Sequence, residues 1–274
     1  MSLTNEQLEH YREFGWVAPI DIISEDEATY YLSQLEAAEE KYPGAFSARN
    51  RNNSHMSFTF VANLAFNKKI VSIAESIVGA NIALTSTVLF AKEPKSTSYV
   101  SWHQDATYMG LNSSNLCTAW LALTHSNEHN GCVAVIPKSH AQGMVEHNDT
   151  YGDNNILTRG QEVADIDKSK AVNLTLKPGQ MSVHGPWLVH GSLPNKSDSR
   201  RIGLALQSYI GDDVRPARGE HHVMHIQGAS LADEFISVPR PNEDYSEENR
   251  QIREAANKAF SDVLYEGAKI KRNM

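Results

Sequence analysis

Residues 180–210 read QMSVHGPWLVHGSLPNKSDSRRIGLALQSYI, and this stretch contains three short apolar or alternating runs separated by Gly, Pro, Asn and Asp residues. Runs of this kind, bounded by residues that favour turns, are typical of β-strands with one buried face. The stretch therefore predicts several short strands in succession.

The same texture extends upstream to residue 82. Five further runs occur there, namely IALTSTVLFAKE, YVSWHQD, CTAWLALT, CVAVIP and AVNLTL. Eight short strands with turns between them predict a mainly β core at about residues 82–210, either a double-sheet jelly roll or a related barrel. The polar stretch at about 140–170 has little strand signal, so we expect it to form a loop or lid over one mouth of the barrel.

Helices are predicted on both sides of this core. Capping-box spacing begins at Thr4 and at Ser24, and each residue precedes a helix-forming sequence. Residues 1–80 are therefore expected to be mainly helical. Residues 211–274 are expected to form polar loops and one final helix, with Ser246 as its N-cap.

Length and composition set limits on the class of protein. A chain of 274 residues with 41% hydrophobic and 21% charged residues can bury a full-sized core, so one domain over residues 1–274 is expected. The net charge of −8 argues against partners that need a basic surface, such as nucleic acid or an anionic membrane. The N-terminus lacks the features of a secretory signal, and no long apolar run occurs, so we expect a cytoplasmic protein. The oligomeric state cannot be predicted.

Two residues in SYVSWHQDATYMGL, His103 and Asp105, are candidate metal ligands. On an extended strand, residues two apart project from the same face, so an imidazole and a carboxylate could reach one ion. His190, in WLVHGSLPN, is the preferred third ligand. His184 is an alternative at an even offset from His190, although Pro186 lies between them and breaks simple alternation.

Two imidazoles and one carboxylate form the facial triad of Fe(II) oxygenases, which leaves the remaining coordination positions open. These positions can accept O2 and the keto acid end of 2-oxoglutarate as co-substrates. The distal carboxylate of 2-oxoglutarate then needs a cation with two-pronged donors. Arg201 begins the run RIGLALQSYI shortly after His190 and suits this task, whereas its neighbour Arg200 should point to the opposite face.

These residues resemble the core motif of the phytanoyl-CoA dioxygenase-like family of Fe(II)/2-oxoglutarate-dependent oxygenases, in which HxD is followed by a distal His and then by an Arg at this offset. The resemblance covers about residues 5–215 and is most specific in SWHQDATYMGL, in TAWLALTHSNEHNGCVAVIPKSH and in residues 176–210. The similar proteins include bacterial 2-aminoethylphosphonate hydroxylases and proteins labelled chlorinating enzymes.

The resemblance implies a double-stranded β-helix, which is the cupin-like jelly roll, with flanking N- and C-terminal helices. It also implies that O2 and 2-oxoglutarate are converted to succinate and CO2 while the substrate is oxidised. The site residues that it implies are the iron ligands His103, Asp105 and His190, the 2-oxoglutarate contact Arg201, and further co-substrate contacts from Trp120 and Ser192.

Asp105 favours one reaction within this family. In the related halogenases an Ala or Gly occupies the carboxylate position and leaves room for chloride, so the carboxylate here implies hydroxylation. We expect a small polar substrate. One candidate is an aminophosphonate such as 2-aminoethylphosphonate, hydroxylated at the carbon next to phosphorus. Desaturation or cyclisation by the same triad is an alternative. A jelly roll that binds a metal or ligand without catalysis is another.

Several other residues have two interpretations. Thr107 and Tyr108 could line the substrate side of the site or form a turn. Arg49 and Arg51, like the basic residues of VRPARGEHH, could bind an anionic substrate group, but we favour solvated loop charge for each of them. Cys117 and Cys132 lie in apolar runs, where buried free thiols are expected.

Overall fold

The computed structural model describes residues 2–229 and 233–270. The helices in these ranges are α1 (Asn5–Phe14), α2 (Glu25–Lys41), α3 (Thr59–Ala65), α4 (Lys68–Val78), α5 (Ala106–Met109) and α6 (Glu247–Leu264). The strands are β1 (Trp16–Asp21), β2 (Ile82–Lys92), β3 (Val100–His103), β4 (Leu116–Ala122), β5 (Val133–Val135), β6 (His147–Asp149), β7 (Gln161–Val163), β8 (Val172–Asn173), β9 (Gln180–His184), β10 (His190–Ser192), β11 (Arg201–Ile210), β12 (His222–Gln227) and β13 (Ile236–Val238).

Two facing sheets form the body of the fold. The larger sheet has seven strands in the order β1-β9-β4-β11-β2-β12-β13, and the smaller one has four in the order β3-β10-β5-β8. Neighbouring strands run antiparallel in both sheets except for the parallel pair β12 and β13. The predicted mainly β jelly roll is confirmed, and each of the eight predicted runs contains a strand.

The helices near the N-terminus pack on the outer face of the larger sheet. Leu35 of α2 and Ile70 of α4 belong to one buried cluster with Leu121 of β4 and Leu204 of β11. The predicted caps are present, because the side chains of Thr4 and Ser24 accept hydrogen bonds from backbone N–H groups in the first turns of α1 and α2. This helical layer covers one face of the sheet and leaves the opposite face for the site.

One strand was missed in the region predicted to be helical. β1 follows Gly15, which ends α1 in a left-handed conformation, and it pairs with β9 at the edge of the larger sheet. Pro19 concealed it in the sequence, since proline is excluded from central strands but tolerated on an edge strand. Within residues 2–80, the structure therefore has four α-helices and one strand that belongs to the jelly roll.

Two more strands were missed after residue 211. β12 pairs with the first residues of β2, and β13 pairs with β12. Their sequences, HVMHIQ and ISV, are short and half polar, so they resemble loop sequence until a strand edge is available for pairing. The final helix is present as α6, and Ser246 caps it as predicted by accepting a hydrogen bond from the Asn249 N–H.

The predicted lid at about 140–170 holds some regular structure. β6 and β7 form a two-stranded hairpin there. Between these strands, Ile156, Leu157 and Thr158 line the main cavity of the barrel. Within the described residues, no helix is at once long enough and apolar enough to span a membrane.

The two cysteines are buried and free, as predicted. Burial raises the pKa of Cys117 to about 12 and that of Cys132 to about 11. Both thiols therefore remain protonated near neutral pH and act as small apolar side chains.

Candidate metal centre and co-substrate pocket

Two strands of the smaller sheet bring the candidate ligands together. β3 ends at His103, and β10 begins at His190, which lies directly opposite His103 in the register of the pair. Asp105 lies two residues after the end of β3 and is the N-cap of α5. All three residues are buried, and within the described ranges they form a group whose ligand atoms lie within 4.8 Å of one another. Such a group can hold one metal ion.

Asp105 reaches this position differently from the prediction. It was expected on an extended strand with His103, but its backbone is helical, with φ −57° and ψ −38°. The residue between them explains the change. The Gln104 side chain donates hydrogen bonds to the carbonyls of Gly143 and Trp187 and accepts one from the Val145 N–H, so the chain turns there.

Backbone carbonyls fix the orientation of both histidines. Nδ1 of His103 lies 2.8 Å from the carbonyl oxygen of Ser101, and Nδ1 of His190 lies 2.9 Å from that of Leu188. Because a carbonyl can only accept, each Nδ1 carries the proton and each Nε2 keeps its lone pair for a metal. Burial, and then the nearby His103 and His184, lower the pKa of His190 to about 3, so it is neutral at physiological pH.

The spacing of the donor atoms suits a divalent ion. Nε2 of His103 lies 3.4 Å from Oδ1 of Asp105, and Nε2 of His190 lies 3.7 Å from the same oxygen. Metal bonds of about 2.0 to 2.2 Å from each donor to a common point are compatible with these separations. The set of two neutral imidazoles and one carboxylate is the one that Fe(II) oxygenases use. The residues present therefore fit the ion that the sequence implied.

Two neighbouring side chains hold the carboxylate in place. The Thr118 hydroxyl donates to Oδ2 of Asp105 at 2.9 Å, and the Gln207 amide donates to Oδ1 at 3.1 Å. Burial raises the pKa of Asp105, but His190, His103 and His184 together lower it more, so the carboxyl stays ionised well below its usual range. Asp105 is therefore an oriented, charged ligand even before a metal binds.

Arg201 lines the same cavity, where it was expected to meet 2-oxoglutarate. Its side chain is 1% exposed, and its Nη1 donates to the carbonyl of Phe90 at 3.3 Å. Its guanidinium carbon lies 5.4 Å from the centre of the Trp120 ring, which gives a cation–π contact. A Cβ on Gly203 would come within 1.9 Å of that ring, so glycine is required for Trp120 to lie beside Arg201.

Arg201 has no acid to neutralise it among the described residues, and its Nε has no hydrogen-bond partner there. Burial lowers its pKa to about 10, so it remains charged. A buried charge without a partner is costly, and a bound carboxylate would offset that cost.

The structure places a second buried basic side chain, Lys92, beside Arg201, and the sequence did not suggest it. Lys92 lies opposite Arg201 in the pairing of β2 with β11 and is 1% exposed. Its ammonium donates to the Ser192 hydroxyl at 2.6 Å and to the carbonyl of Leu193. Ser192 thus lies beside Lys92, and the co-substrate contact that the resemblance implied for it stays a prediction. The only sequence signal for Lys92 is a lysine at the end of an apolar strand.

A family model and several known proteins match this chain. The family model described as phytanoyl-CoA dioxygenase (PhyH) matches residues 11–203. The chain belongs to the phytanoyl-CoA dioxygenase family. This membership confirms the predicted family and its cofactor class, Fe(II) with 2-oxoglutarate.

Individual family relatives differ in length and in their named substrates. The peroxisomal phytanoyl-CoA dioxygenase of Bos taurus is 35% identical over 182 residues, which are 63% of this chain but only 51% of the bovine protein. A probable alpha-ketoglutarate-dependent hypophosphite dioxygenase of Stutzerimonas stutzeri is 27% identical over 199 residues, which are 72% of this chain and 67% of that protein. The solved structure of ThoJ, a non-heme monooxygenase in its apo form, superposes with a TM-score of 0.83 at 27% identity, covering 94% of this chain and 97% of that one.

The alternative ligand of this family member, His184, lies beside the candidate metal group rather than within it. Its Nε2 is 3.4 Å from Oδ2 of Asp105, the oxygen that faces Thr118. Neither of its ring nitrogens has a well-formed hydrogen bond within the described residues, and no carbonyl fixes its Nδ1. His103 and His190 have that support, so His184 is better suited to contact the carboxylate than to bind the ion.

We therefore expect His184→Gln to keep metal affinity within about tenfold of the unchanged protein, whereas His190→Gln should lower it by at least about a hundredfold. Calorimetric titration of the metal-free protein with Co2+ measures both values. The reverse order, with the larger loss in His184→Gln, would show that His184 is the third ligand.

The remaining candidates divide between the cavity and the surface. Tyr108 and Arg51 line the cavity, whereas Thr107 lies in a separate outer groove and Arg49 is exposed. The interpretation of Arg51 as solvated loop charge is therefore wrong. Arg218 also lines the outer groove, where it lies 3.5 Å from Glu266.

Proposed function

We propose that this protein is an Fe(II)- and 2-oxoglutarate-dependent dioxygenase that hydroxylates a small molecule, with His103, Asp105 and His190 as the iron ligands. One observation carries the proposal: two histidines with oriented Nε2 atoms and one buried carboxylate face a cavity that also contains Arg201. The empty space of that cavity, including its open mouth, is about 900 Å³. It has room for a co-substrate and a small substrate together.

Arg201, Lys92 and Ser192 would hold the distal carboxylate of 2-oxoglutarate, and Trp120 would support the guanidinium from one side. The guanidinium, the Lys92 ammonium and the Ser192 hydroxyl can all donate hydrogen bonds, and a carboxylate has two oxygens that accept several. When bound together, Fe(II), 2-oxoglutarate and O2 supply the oxidation that replaces a substrate hydrogen by hydroxyl and releases succinate and CO2. The protein contributes position, charge and an apolar enclosure that limits water.

The charges of the side chains lining the cavity bear on the class of substrate. An aminophosphonate such as 2-aminoethylphosphonate stays a candidate, and one similar protein carries the name of a hypophosphite dioxygenase. The side chains lining the cavity support the anionic half of that molecule better than the ammonium half. Among the described residues that line it, Asp105 is the single acid, and Asp105 is committed to the metal.

A succinate-release assay with a panel of small acids, amines, amino acids and phosphonates tests the proposal, with substrate-free turnover subtracted. The expected result is Fe(II)-dependent succinate formation that one class of compound stimulates, with a product heavier by one oxygen. A product lighter by two hydrogens would instead indicate desaturation. Metal binding without any affinity for 2-oxoglutarate would contradict the proposal and favour a non-catalytic binding protein.

Lys92 predicts a pH dependence of co-substrate binding. Burial, and then the charge of Arg201, lower the pKa of Lys92 to about 6, so the free protein holds it mainly neutral above that pH. A bound carboxylate stabilises the ammonium and raises its pKa, so binding takes up a proton. The dissociation constant for 2-oxoglutarate should therefore rise from about pH 6 to about pH 8, by up to about tenfold per unit.

The Lys92→Met variant should bind 2-oxoglutarate more weakly and lose most of this pH dependence. An equal slope in both proteins would contradict the prediction.

A further inference from the structure

The main cavity is lined by a second arginine, Arg51, which the proposed co-substrate site does not use. Arg51 lines the cavity together with Asn52, in a segment that was expected to be a solvated loop. Its side chain is partly buried and forms no hydrogen bond or ion pair with any residue in the described ranges. Arg201 and Lys92 lie opposite each other in the pairing of β2 with β11, and the charge of Arg201 lowers the pKa of Lys92. Arg51 belongs to a different segment of the chain.

Burial lowers the pKa of Arg51 to about 10, and no acidic group among the described residues offsets this. The guanidinium therefore keeps its charge at neutral pH while it is partly withdrawn from water. Such a group is most favourable when an anion binds it, and a guanidinium can donate two parallel hydrogen bonds to an oxyanion.

The backbone around Arg51 is held against the cavity wall. The carbonyl of Arg51 accepts a hydrogen bond from the Leu89 N–H at 2.9 Å, and the Asn53 N–H donates to the carbonyl of Thr87 at 2.7 Å. The segment thus adds a short extended piece beside β2. A charged group on a fixed backbone loses less freedom on binding than one on a mobile loop.

The C-terminal helix fixes the same segment from its other side. Arg253 of α6 is 3% exposed, and its guanidinium donates to the carbonyls of Asn52 at 2.8 Å and Ala45 at 3.1 Å, and also to that of Asn50. These carbonyls flank Arg51 in the chain. Arg253 therefore acts as a positioning residue for the loop, and it links that loop to the helix that closes the cavity.

The same helix supplies an apolar wall. Phe260 and Leu264 of α6 line the cavity, and Ile156 and Leu157 of the lid line it as well. A fully hydrated zwitterion would gain little from these side chains, whereas a carbon chain or ring would bury apolar surface against them. The cavity thus combines the candidate metal ligands, the proposed co-substrate end, an apolar lining and Arg51, whose side chain has no partner among the described residues.

We infer that Arg51 binds the anionic group of the primary substrate, and that this substrate is an oxyanion, either a carboxylate or a phosphonate, joined to an apolar body that packs on α6 and the lid. The inference rests on the proposed function and specifies its substrate class. It predicts selectivity for oxyanions over amines and neutral amides of the same carbon skeleton.

The test uses the Fe(II) protein with 2-oxoglutarate and four probes that share a six-carbon chain: hexanoate, hexylphosphonate, hexanamide and hexylamine. Anaerobic binding of each probe is followed through the visible absorption of the bound co-substrate. The unchanged protein should bind one or both oxyanions more tightly than the amide and the amine. Arg51→Gln should weaken oxyanion binding about 10- to 100-fold and leave the weak binding of the amide unchanged.

Arg49→Gln is the matched control, because Arg49 belongs to the same loop but is exposed and does not line the cavity. It should bind all four probes as the unchanged protein does. Arg51→Lys should restore part of the affinity, since it keeps the charge but loses the two-pronged donors. A comparison of hexanoate with hexylphosphonate identifies which oxyanion the site prefers.

Two results would overturn the inference while leaving the proposed function intact. One is equal oxyanion affinity in Arg51→Gln and the unchanged protein. The other is the absence of any oxyanion binding in a protein that still binds 2-oxoglutarate. Failure of the unchanged protein to bind 2-oxoglutarate would instead reject the proposed function itself.

Discussion

Replacing Asp105 by alanine should lower 2-oxoglutarate-dependent succinate formation by at least about a hundredfold. Loss of a residue that only hydrogen-bonds to a metal ligand typically costs about 10- to 100-fold in activity, and loss of the ligand itself should cost more. Asp105 is 3% exposed and supplies the one carboxylate of the candidate metal group. Without it, His103 and His190 offer two neutral donors, which bind a divalent ion much more weakly. The assay is succinate release at saturating Fe(II) and 2-oxoglutarate, combined with the metal content of the purified protein.

The matched control for this prediction is Asp244→Ala. Asp244 is exposed and accepts hydrogen bonds from Thr59, far from the cavity. Its replacement can affect the start of α3 but should not change succinate formation per folded protein. Full turnover in Asp105→Ala, with normal metal content, would contradict the role given to the carboxylate.

The second large effect is expected at Arg201. Arg201→Leu should raise the KM for 2-oxoglutarate by at least about thirtyfold, since removing one partner of a buried charge pair costs about 2 to 5 kcal/mol. In the proposed complex, the pair is the Arg201 guanidinium and the distal carboxylate of 2-oxoglutarate, with Trp120 and Lys92 beside the guanidinium. The affinity of the protein for metal ions should stay unchanged, because Arg201 does not contact the candidate metal ligands.

The adjacent arginine supplies a close control. Arg200 lies next to Arg201 in the chain but forms ion pairs with Glu39 at 3.0 Å and Glu93 at 2.9 Å on the outer side of the sheet. Arg200→Leu should leave the KM for 2-oxoglutarate unchanged and alter stability by about 0 to 1 kcal/mol. An equal rise in KM in both variants would mean that the effect comes from disturbance of β11 rather than from loss of a carboxylate partner.

The sequence predicted those parts of the site that depend on local spacing and residue type. His103 and Asp105 could be recognised because they are two residues apart, and Arg201 because it begins a strand shortly after His190. Local spacing did not predict the route by which Asp105 arrives, since the turn depends on contacts of Gln104 with residues some 40 and 80 positions away.

The features that were missed depend on long-range pairing. Lys92 meets Arg201 only through the register of β2 with β11, which neither strand encodes alone. Arg51 faces the cavity because Arg253, near the other end of the chain, holds its loop. β1 and β12 likewise become strands by pairing with sheet edges. Propensity in their own short sequences was too weak to identify them, because pairing and packing decide such segments.

The central claim is that one cavity binds Fe(II) through His103, Asp105 and His190 and 2-oxoglutarate through Arg201. Anaerobic titration of the Fe(II)-loaded protein with 2-oxoglutarate tests it most directly, by following the visible metal-to-ligand charge-transfer band. We expect a saturable band in the unchanged protein, the same band at higher 2-oxoglutarate concentration in Arg201→Leu, and no band in His190→Ala. The absence of a band in the unchanged protein, or an undiminished band in His190→Ala, would contradict it.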